Sequence, residues 1–511
     1  MPDSSPQILI VGAGPTGLVL ALWLARFGVR LRIIDRAAGP GTTSRALGVQ
    51  ARTLEYYRQL GLADEVVARG HQFGAINLWV RGRRRARAAF GDMGKGLSPY
   101  PYMLIFPQDE HEPLLIEHLT AAGVTVERRT ELVDFVQDAD QVTARLRGPD
   151  GTEETCMADY IAGCDGARSA VREAIGAGFP GGTYAQRFYV ADAVVQGPVA
   201  DGELHLALGD ADFVGAFPMK GAGRVRIIGI VRTPEDGSEA NLTWDDVGKD
   251  VLRQLGVTVE RVNWFSTYRV HHRVADRFRQ ARAFLLGDAA HIHSPAGAQG
   301  MNTGIADATN IAWKLAAVVQ GRAMPALLES YEPERIAFAR RLVATTDQAF
   351  TAATSPNAFA RFLRVWIVPP LFGRLARLAR FQRFMFRTIS QTALNYRHSP
   401  LSDGQAGQVH AGDRLPWVTM DGGADNFGAL TSLDWQVHIY GQPSDSIVAM
   451  CKAKGMALHS FAASAAATRA GLATDAVYLV RPDGYVGLAD PTADPDRLRR
   501  YVERLGIAPR A

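Results

Sequence analysis

Three glycines and one acid stand at a spacing that can hold a dinucleotide. Gly12-Ala13-Gly14-Pro15-Thr16-Gly17 is a GxGxxG turn, and Asp35 follows Gly17 by 18 residues. Gly12 permits the tight turn, Gly14 lets backbone approach a pyrophosphate, and Gly17 lets a helix close on a strand. An acid at this distance meets the ribose hydroxyls. The flanking sequence supplies the supports. Residues 7–11 (QILIV) form an apolar, β-branched run that predicts a buried parallel strand. The stretch LVLALWLARF predicts a helix that stops at Gly28, and VRLRIID predicts a second strand ending on Asp35. The helix start then offers free N–H groups and partial positive charge to phosphates. This turn alone does not separate FAD from a nicotinamide dinucleotide.

Three further segments carry chemistry-bearing residues. They are SRALGVQARTLEYYRQLG (44–61), YIAGCDGARSAVREAIG (160–176) and FLLGDAAHIHSPAGAQGMNTGIADATNIAWKLA (284–316). The FLL run reads as a buried strand, so Asp288 sits near its carboxyl end, where α/β sheets place ligands. Residues 295–302 (PAGAQGMN) form a small-residue loop before a helix over about 303–319. Asp165-Gly166 is by itself only a turn signal, but it follows an apolar run.

In this order the four segments resemble the fingerprints of the class A flavoprotein monooxygenases, the para-hydroxybenzoate hydroxylase-like superfamily. They cover about the first 400 residues. The chain is most similar to the phenol and aromatic-polyketide hydroxylases with an extra C-terminal domain. The resemblance implies FAD as cofactor and NADPH or NADH as transient co-substrate. It implies O₂ as oxidant and a phenolic or polycyclic polyketide-like aromatic substrate, hydroxylated through a flavin C4a-hydroperoxide. Asp288 then bonds the ribityl chain. Arg45 lies near the FAD phosphates, and Gln108 contacts FAD. Asp165 and Gly166 lie near the pyrophosphate. Gly12, Gly14, Pro15, Thr16, Gly17, Asp35 and Arg36 hold the ADP half. Pro295, Gly297, Gly300, Met301 and Asn302 hold the flavin ring, with the helix start facing its pyrimidine side. Pro295 is also the wall that positions the reacting ring. Where the family usually has two adjacent glycines, this chain has Gly297-Ala298. Tyr100, Tyr102, Phe106 and Phe217 are pocket residues, with core packing as the alternative for each. Baeyer–Villiger insertion, epoxidation, or an FAD-dependent dehydrogenase- or halogenase-like reaction stay open as alternatives. So does a non-catalytic relative.

The implied fold class is α/β. A discontinuous Rossmann-like FAD-binding domain takes residues 1–175 and 275–398. A mixed β-sheet substrate domain takes 176–274, joined by part of 72–106 (INLWV and YPYMLIF). A thioredoxin-like domain takes 399–511; it lacks CxxC, which argues against a thiol-redox role. No second GxGxxG provides a separate nicotinamide domain.

Composition sets the outer bounds. With 47 % hydrophobic and 21 % charged residues, the 511-residue chain is an ordinary globular sequence, not a disordered or fibrous one. A net charge of +4 over this length is no nucleic-acid footprint. Three cysteines without CxxC spacing argue against a disulfide framework or zinc site and for a reducing cytoplasm. No leader or membrane-spanning run is read, and a monomer or homodimer is expected. His291 and His293 form an HxH, but no metal is expected there because no Cys or acid cluster completes a site. Two basic stretches, RGRRRAR (81–87) and residues 359–387 with seven arginines, read as an exposed turn and a segment packed within the protein, with anion or nucleic-acid attraction the alternative for the first and a membrane-surface helix for the second; no nucleic-acid or membrane partner is expected.

Overall fold

The computed structural model describes residues 5–42, 46–89, 93–208, 213–231, 242–246, 252, 255–294, 296–354 and 357–510. The first unit is the strand–helix–strand of the GxGxxG turn: β1 (Ile8–Val11), α1 (Pro15–Arg26) and β2 (Leu31–Asp35). β1 lies between β2 and the strand Tyr160–Gly163, parallel to both. Residues Val126–Arg128 extend the sheet beyond β2, and Ala283–Leu285 and Arg279–Gln280 extend it beyond Tyr160–Gly163. All four residues of β1 are buried, which is why they read as a continuous apolar run. α1 packs against the helix Gly300–Val319, whose residues are almost all buried. The GxGxxG turn and the PAGAQGMN loop are thereby brought to one end of the sheet.

The second sheet has eight strands. In spatial order they are His291–Ile292, Thr258–Val274, Gly181–Gln196, Arg224–Val231, Phe213–Pro218, Leu204–Leu208, Ala75–Val80 and Arg83–Ala89. Alternation gives it two apolar faces. Tyr189, Ala193, Val225 and Ile227 form one core with Trp244 and Phe265. Phe188, Val190, Ile228 and Tyr268 pack on the other face against Leu47, Phe73 and Ile105. One expectation needs correction. INLWV joins this sheet, but YPYMLIF does not. Its Leu104–Ile105 pairs instead with Gly48–Val49 and His71–Gln72 in a small sheet whose Gly48 borders Ala298. Only these two residues of YPYMLIF are extended and paired, and both are buried.

The C-terminal sheet places Ala457–Phe461, Gln436–Tyr440, Val477–Val480 and Val486–Asp490 side by side. The first pair is parallel and the next two are antiparallel, the thioredoxin order, with helices Asp445–Ala453, Ala465–Arg469 and Pro495–Leu505 between and after them. It is not a tethered module. Trp435, Val437, Leu479 and Tyr501 belong to the same buried cluster as β1 and α1, and Trp435 meets Trp313 edge-on at 5.5 Å. Cys451 is buried, and burial pushes its thiol up to about 11, away from the reactive thiolate.

Two histidines in these cores are held neutral. His111 contacts the Tyr57 hydroxyl at 2.8 Å, and burial pushes its pKa down to about 3. Burial does the same to His438. An unfolded histidine takes its proton near pH 6.5, so below that pH the unfolded chain binds protons that the folded chain refuses. Stability is therefore expected to fall as pH drops from about 6.5 toward 3. At about 1.4 kcal/mol per pH unit per histidine, the pair costs roughly 3 kcal/mol between pH 7 and 5.5. Urea unfolding at the two pH values checks this, and an unchanged midpoint contradicts it.

Candidate active site

The cradle is built by backbone. Gly12 has φ +103°, and a Cβ there would lie 2.3 Å from the Cys164 carbonyl oxygen. A Cβ on Gly17 would lie 2.0 Å from the Gly12 carbonyl oxygen. Around Gly14 a Cβ would meet no protein atom within 4 Å, so that side of the turn is open to a ligand. No side chain caps α1 and its first turn holds no acid, leaving the N–H groups there for an anion. Pro15 is at the helix start. Thr16 is wedged between Gly287 and Gly304, where added Cβ atoms would come within 2.7 and 2.3 Å of its Oγ1. Its side chain thus joins α1 to the flavin loop rather than facing the phosphates.

Beside the turn lies a cavity of about 270 Å³, lined by Gly12, Asp35, Arg36, Thr130, Asp165 and Gly166 among others. Asp35 accepts from the Ala13 and Ala37 N–H groups, each at 2.7 Å. These bonds fix the carboxylate at the strand end. Burial raises the Asp165 carboxyl above the usual range, and its Oδ1 is buried without a partner. Arg128, in VERRTELVDF, was not singled out from sequence. It stands 3.7 Å from Asp35, and its Nη2 is also buried without a partner. Its signal was a basic residue ending the strand beside β2. An orphaned acceptor on the cavity, an orphaned donor on the Arg128 that flanks Asp35, and an open glycine at the helix start fit a group with both hydroxyls and phosphates, as FAD has. Gln108 begins the helix Gln108–Ala121, and its amide donates to Glu112, which also accepts from Gly41 N–H. Arg45 and Pro295 lie outside the described residues.

The flavin loop runs from Gly287 to Asn302. Asp288 is exposed in a short 3₁₀ turn directly after the strand Ala283–Leu285. Gly297 has φ +73° and Ala298 has φ +54°. The alanine's methyl is accommodated across the loop: a Cβ on Gly48 would lie 2.6 Å from it. Gly48 therefore makes room for the methyl that a second glycine would lack. Gly300 and Met301 open the long helix, with no acid in its first turn. Asn302 is fully buried and spends its amide on protein. It accepts from Gln50 N–H (2.9 Å) and Thr53 hydroxyl (2.7 Å), and donates to the Gly48 and Ala298 carbonyls (2.8 Å each). It ties the loop to residues 48–53. Asn302→Ala strands these buried groups, at about 1–3 kcal/mol for each left unpaired. FAD affinity is expected to fall at least tenfold, read by quenching of flavin fluorescence on titration.

Behind the loop lies a buried carboxylate that sequence reading passed over. Asp307 accepts from Gly287 N–H (3.0 Å) and Arg335 Nε (2.5 Å), and contacts His291 Nε2 (2.7 Å). His291 thus orients the loop. An acid within the apolar run of its helix was the available signal. Asp307 is held below the usual carboxylate range chiefly by Arg335, against the burial that would raise it.

The aromatic expectations divide. Phe106 is fully buried, with its ring centroid 5.1 Å from that of His111, and offers no surface to a substrate. This corrects its assignment to the pocket: it is core. Tyr100 is buried and Tyr102 half-buried in the cluster around α1. Phe217 is half-buried on the sheet face turned toward Leu47 and Ile105. With it stand Tyr184, Trp264 and Tyr268, also half-buried and not singled out from sequence. Their signal was alternation: Trp264 and Tyr268 fall on one face of their strand and Phe265 on the other.

Comparisons with known proteins agree with this geometry. The profile of the FAD binding domain family matches residues 5–346. The 6-methylpretetramide 4-monooxygenase of Streptomyces rimosus is 39 % identical over 432 residues, 81 % of this chain and 75 % of that one. A flavin-dependent monooxygenase of Mycobacteroides abscessus is 31 % identical over 502 residues, 94 % and 96 % of the two chains. The solved ternary complex of aklavinone-11 hydroxylase with FAD and aklavinone superposes with a TM-score of 0.79 at 27 % identity, covering 99 % of this chain and 100 % of that one. Among the described residues no helix is long and apolar enough to cross a membrane. A cradle that fits FAD, on a chain matched over residues 5–346, makes this protein a flavoprotein monooxygenase of the FAD binding domain family.

Proposed function

We propose that the chain hydroxylates a polycyclic, phenolic aromatic held between the flavin loop and the aromatic face of the eight-stranded sheet. One observation carries this. Phe217, Trp264 and Tyr268 stay half-buried on the face that meets Leu47 and Ile105, beside Gly48, where an added Cβ would lie 2.6 Å from the Ala298 methyl of the flavin loop. Flat, partly open aromatic surface beside a flavin suits a flat aromatic ligand. The names of the relatives above support a substrate of that class.

Bound FAD supplies electron transfer from NADPH or NADH to O₂ and the activated oxygen. The chain supplies the rest. Gly12, Gly14 and Gly17 seat the pyrophosphate, with Pro15 and Thr16 opening the helix behind it. Asp35, with Arg36 and Arg128, takes the adenosine side. Gln108, Asp165 and Gly166 take the phosphate side, and Asp288 holds the ribityl chain. Gly297, Gly300 and Met301 present backbone to the ring, and Asn302 holds that loop in place. The apolar sheet face excludes water from the pocket. The three unpaired cysteines suit a reducing cytoplasm, and a monomer or homodimer is sufficient, since described residues of one chain line the cavity beside the GxGxxG turn.

The test is direct. NADPH or NADH oxidation and O₂ uptake are followed on the yellow protein with simple phenols and polycyclic phenols. The expected result is stimulation by a polycyclic phenol and a product heavier by one oxygen with its carbon skeleton intact. A ring-expanded or epoxide product, or nicotinamide oxidation without O₂, overturns the proposal.

A further inference from the structure

Two basic stretches 270 residues apart in sequence meet on one surface. The helix Val368–Leu375 packs along the edge strand Arg83–Ala89, and the Arg81 guanidinium lies 5.6 Å from the centre of the Trp366 ring. A Cβ on Gly373 would touch the Ala86 methyl at 3.5 Å, so the two backbones run close. The turn and strand contribute exposed Arg83 and Arg85. The helical segment contributes exposed Arg374, Arg377, Arg380, Arg383 and Arg387, and residues 357–389 contain no Asp or Glu. The expectation that this segment packs within the protein is therefore met on one side only.

Its other side is apolar and open. Among the described residues, eight of the twelve large hydrophobic side chains that are exposed fall between Phe359 and Phe384. Phe359, Phe362 and Trp366 recur at helical spacing and are 67, 51 and 53 % exposed. Phe384 is 63 % exposed between Arg383 and Arg387. Exposed apolar groups gathered this densely mark a contact surface.

We infer that this face docks on an anionic lipid bilayer, lying in the interface without crossing it. Two observations select that occupant. Phe, Trp and Leu interleaved with Arg and no acid match an interfacial helix, whose rings enter the headgroup–acyl boundary while guanidinium groups meet lipid phosphates. A second copy is disfavoured by charge, because a two-fold contact would set these arginines against their equivalents with no carboxylate from residues 357–389 between them. The helix Ala379–Ile389 ends on the flavin loop, where the Ile389 carbonyl accepts from Gln299, but the exposed side chains that would meet the bilayer are none of those around the FAD cradle, so docking leaves the site formed.

The test uses the full-length holoenzyme and co-sedimentation with phosphatidylcholine vesicles, with and without phosphatidylglycerol. Binding is expected only with phosphatidylglycerol, and high salt should release it. Arg380→Gln/Arg383→Gln/Arg387→Gln should weaken partitioning about 100-fold, at about fivefold per arginine. Trp366→Ser/Phe384→Ser should weaken it as well, with the flavin spectrum and NADPH oxidation in solution unchanged. The salt arm needs no variant, so a misfolded variant does not remove the test. Three results overturn the inference: no binding to either vesicle, equal and salt-insensitive binding to both, or a dimer in solution that Trp366→Ser dissociates.

Discussion

Arg481→Met is expected to lower the melting temperature by roughly 10 °C, the largest stability effect of any single substitution considered. Arg481 is fully buried and forked on Glu334, with Nη1 to Oε1 at 2.7 Å and Nη2 to Oε2 at 3.0 Å. It also holds Asp483 through Nε at 3.0 Å and Nη2 at 2.6 Å. Glu334 further accepts from Lys314 and Asn310, and it is held ionised against its burial mainly by Arg481. Removing one member leaves uncompensated charge in a dry interior, at about 3–5 kcal/mol. For domains of this size each kcal/mol moves the melting temperature by roughly 2–4 °C.

The consequence reaches the flavin. Glu334 and Arg335 are neighbours on one helix, and Arg335 holds the Asp307 that fixes Gly287 and His291. Arg481 lies in the thioredoxin-like part, so that part is wired to the flavin loop through a single turn of helix. Calorimetry of apo and FAD-loaded protein checks this. Arg481→Met should lower both melting temperatures and reduce the stabilisation that FAD confers. Arg481→Met combined with Glu334→Leu, Asp483→Leu and Lys314→Met should recover much of the loss, because replacing a whole buried ion cluster by apolar groups is often neutral. An unchanged melting temperature for Arg481→Met removes the argument.

That wiring also shows where sequence reading stops. The GxGxxG turn, Asp35 and the strand before Asp288 were legible because each is local: a period, a glycine and an acid within a few dozen residues. The thioredoxin-like domain was legible only through its resemblance, and the order of its strands was not, because each is buried on both faces and carries no alternation. Contacts across long loops were not. Arg481 meets Glu334 across 147 residues, and Asn302 meets Gln50 across 252. No periodicity records such pairs. The choice between pocket and core among the aromatics was closed to sequence for a related reason. Phe106 and Phe217 carry the same chemistry, but one is sealed against His111 and the other is left half-open, and only packing decides which. Ala298 is the converse case: its departure from two glycines is answered by Gly48, 250 residues earlier, and neither position explains itself alone.

Gly14→Ala and Gly17→Ala are expected to abolish the yellow colour for different reasons, and that difference tests the cradle. At Gly17 the added methyl falls 2.0 Å from the Gly12 carbonyl oxygen and 3.3 Å from the Cys164 Cβ. Both neighbours belong to elements fixed by the central sheet, so α1 must shift. Overpacking of this kind costs about 1–3 kcal/mol in the apoprotein before any cofactor is added. The shift also turns the first-turn N–H groups away from the pyrophosphate. Gly17→Ala should therefore lower the melting temperature of the apoprotein and raise the FAD dissociation constant at least 100-fold. At Gly14 the methyl meets no protein atom within 4 Å, and φ is −78°, a value any residue adopts. Alanine there costs only about 1 kcal/mol or less at a helix N-cap. The apoprotein should melt almost as wild type does, while FAD binding falls by a similar factor, because the methyl occupies the space the pyrophosphate crosses. FAD titration and apoprotein melting on both variants separate the outcomes. If Gly14→Ala retains full FAD affinity, the pyrophosphate does not pass over this turn, and the orphaned Asp165 Oδ1 and Arg128 Nη2 would have to be explained by another ligand.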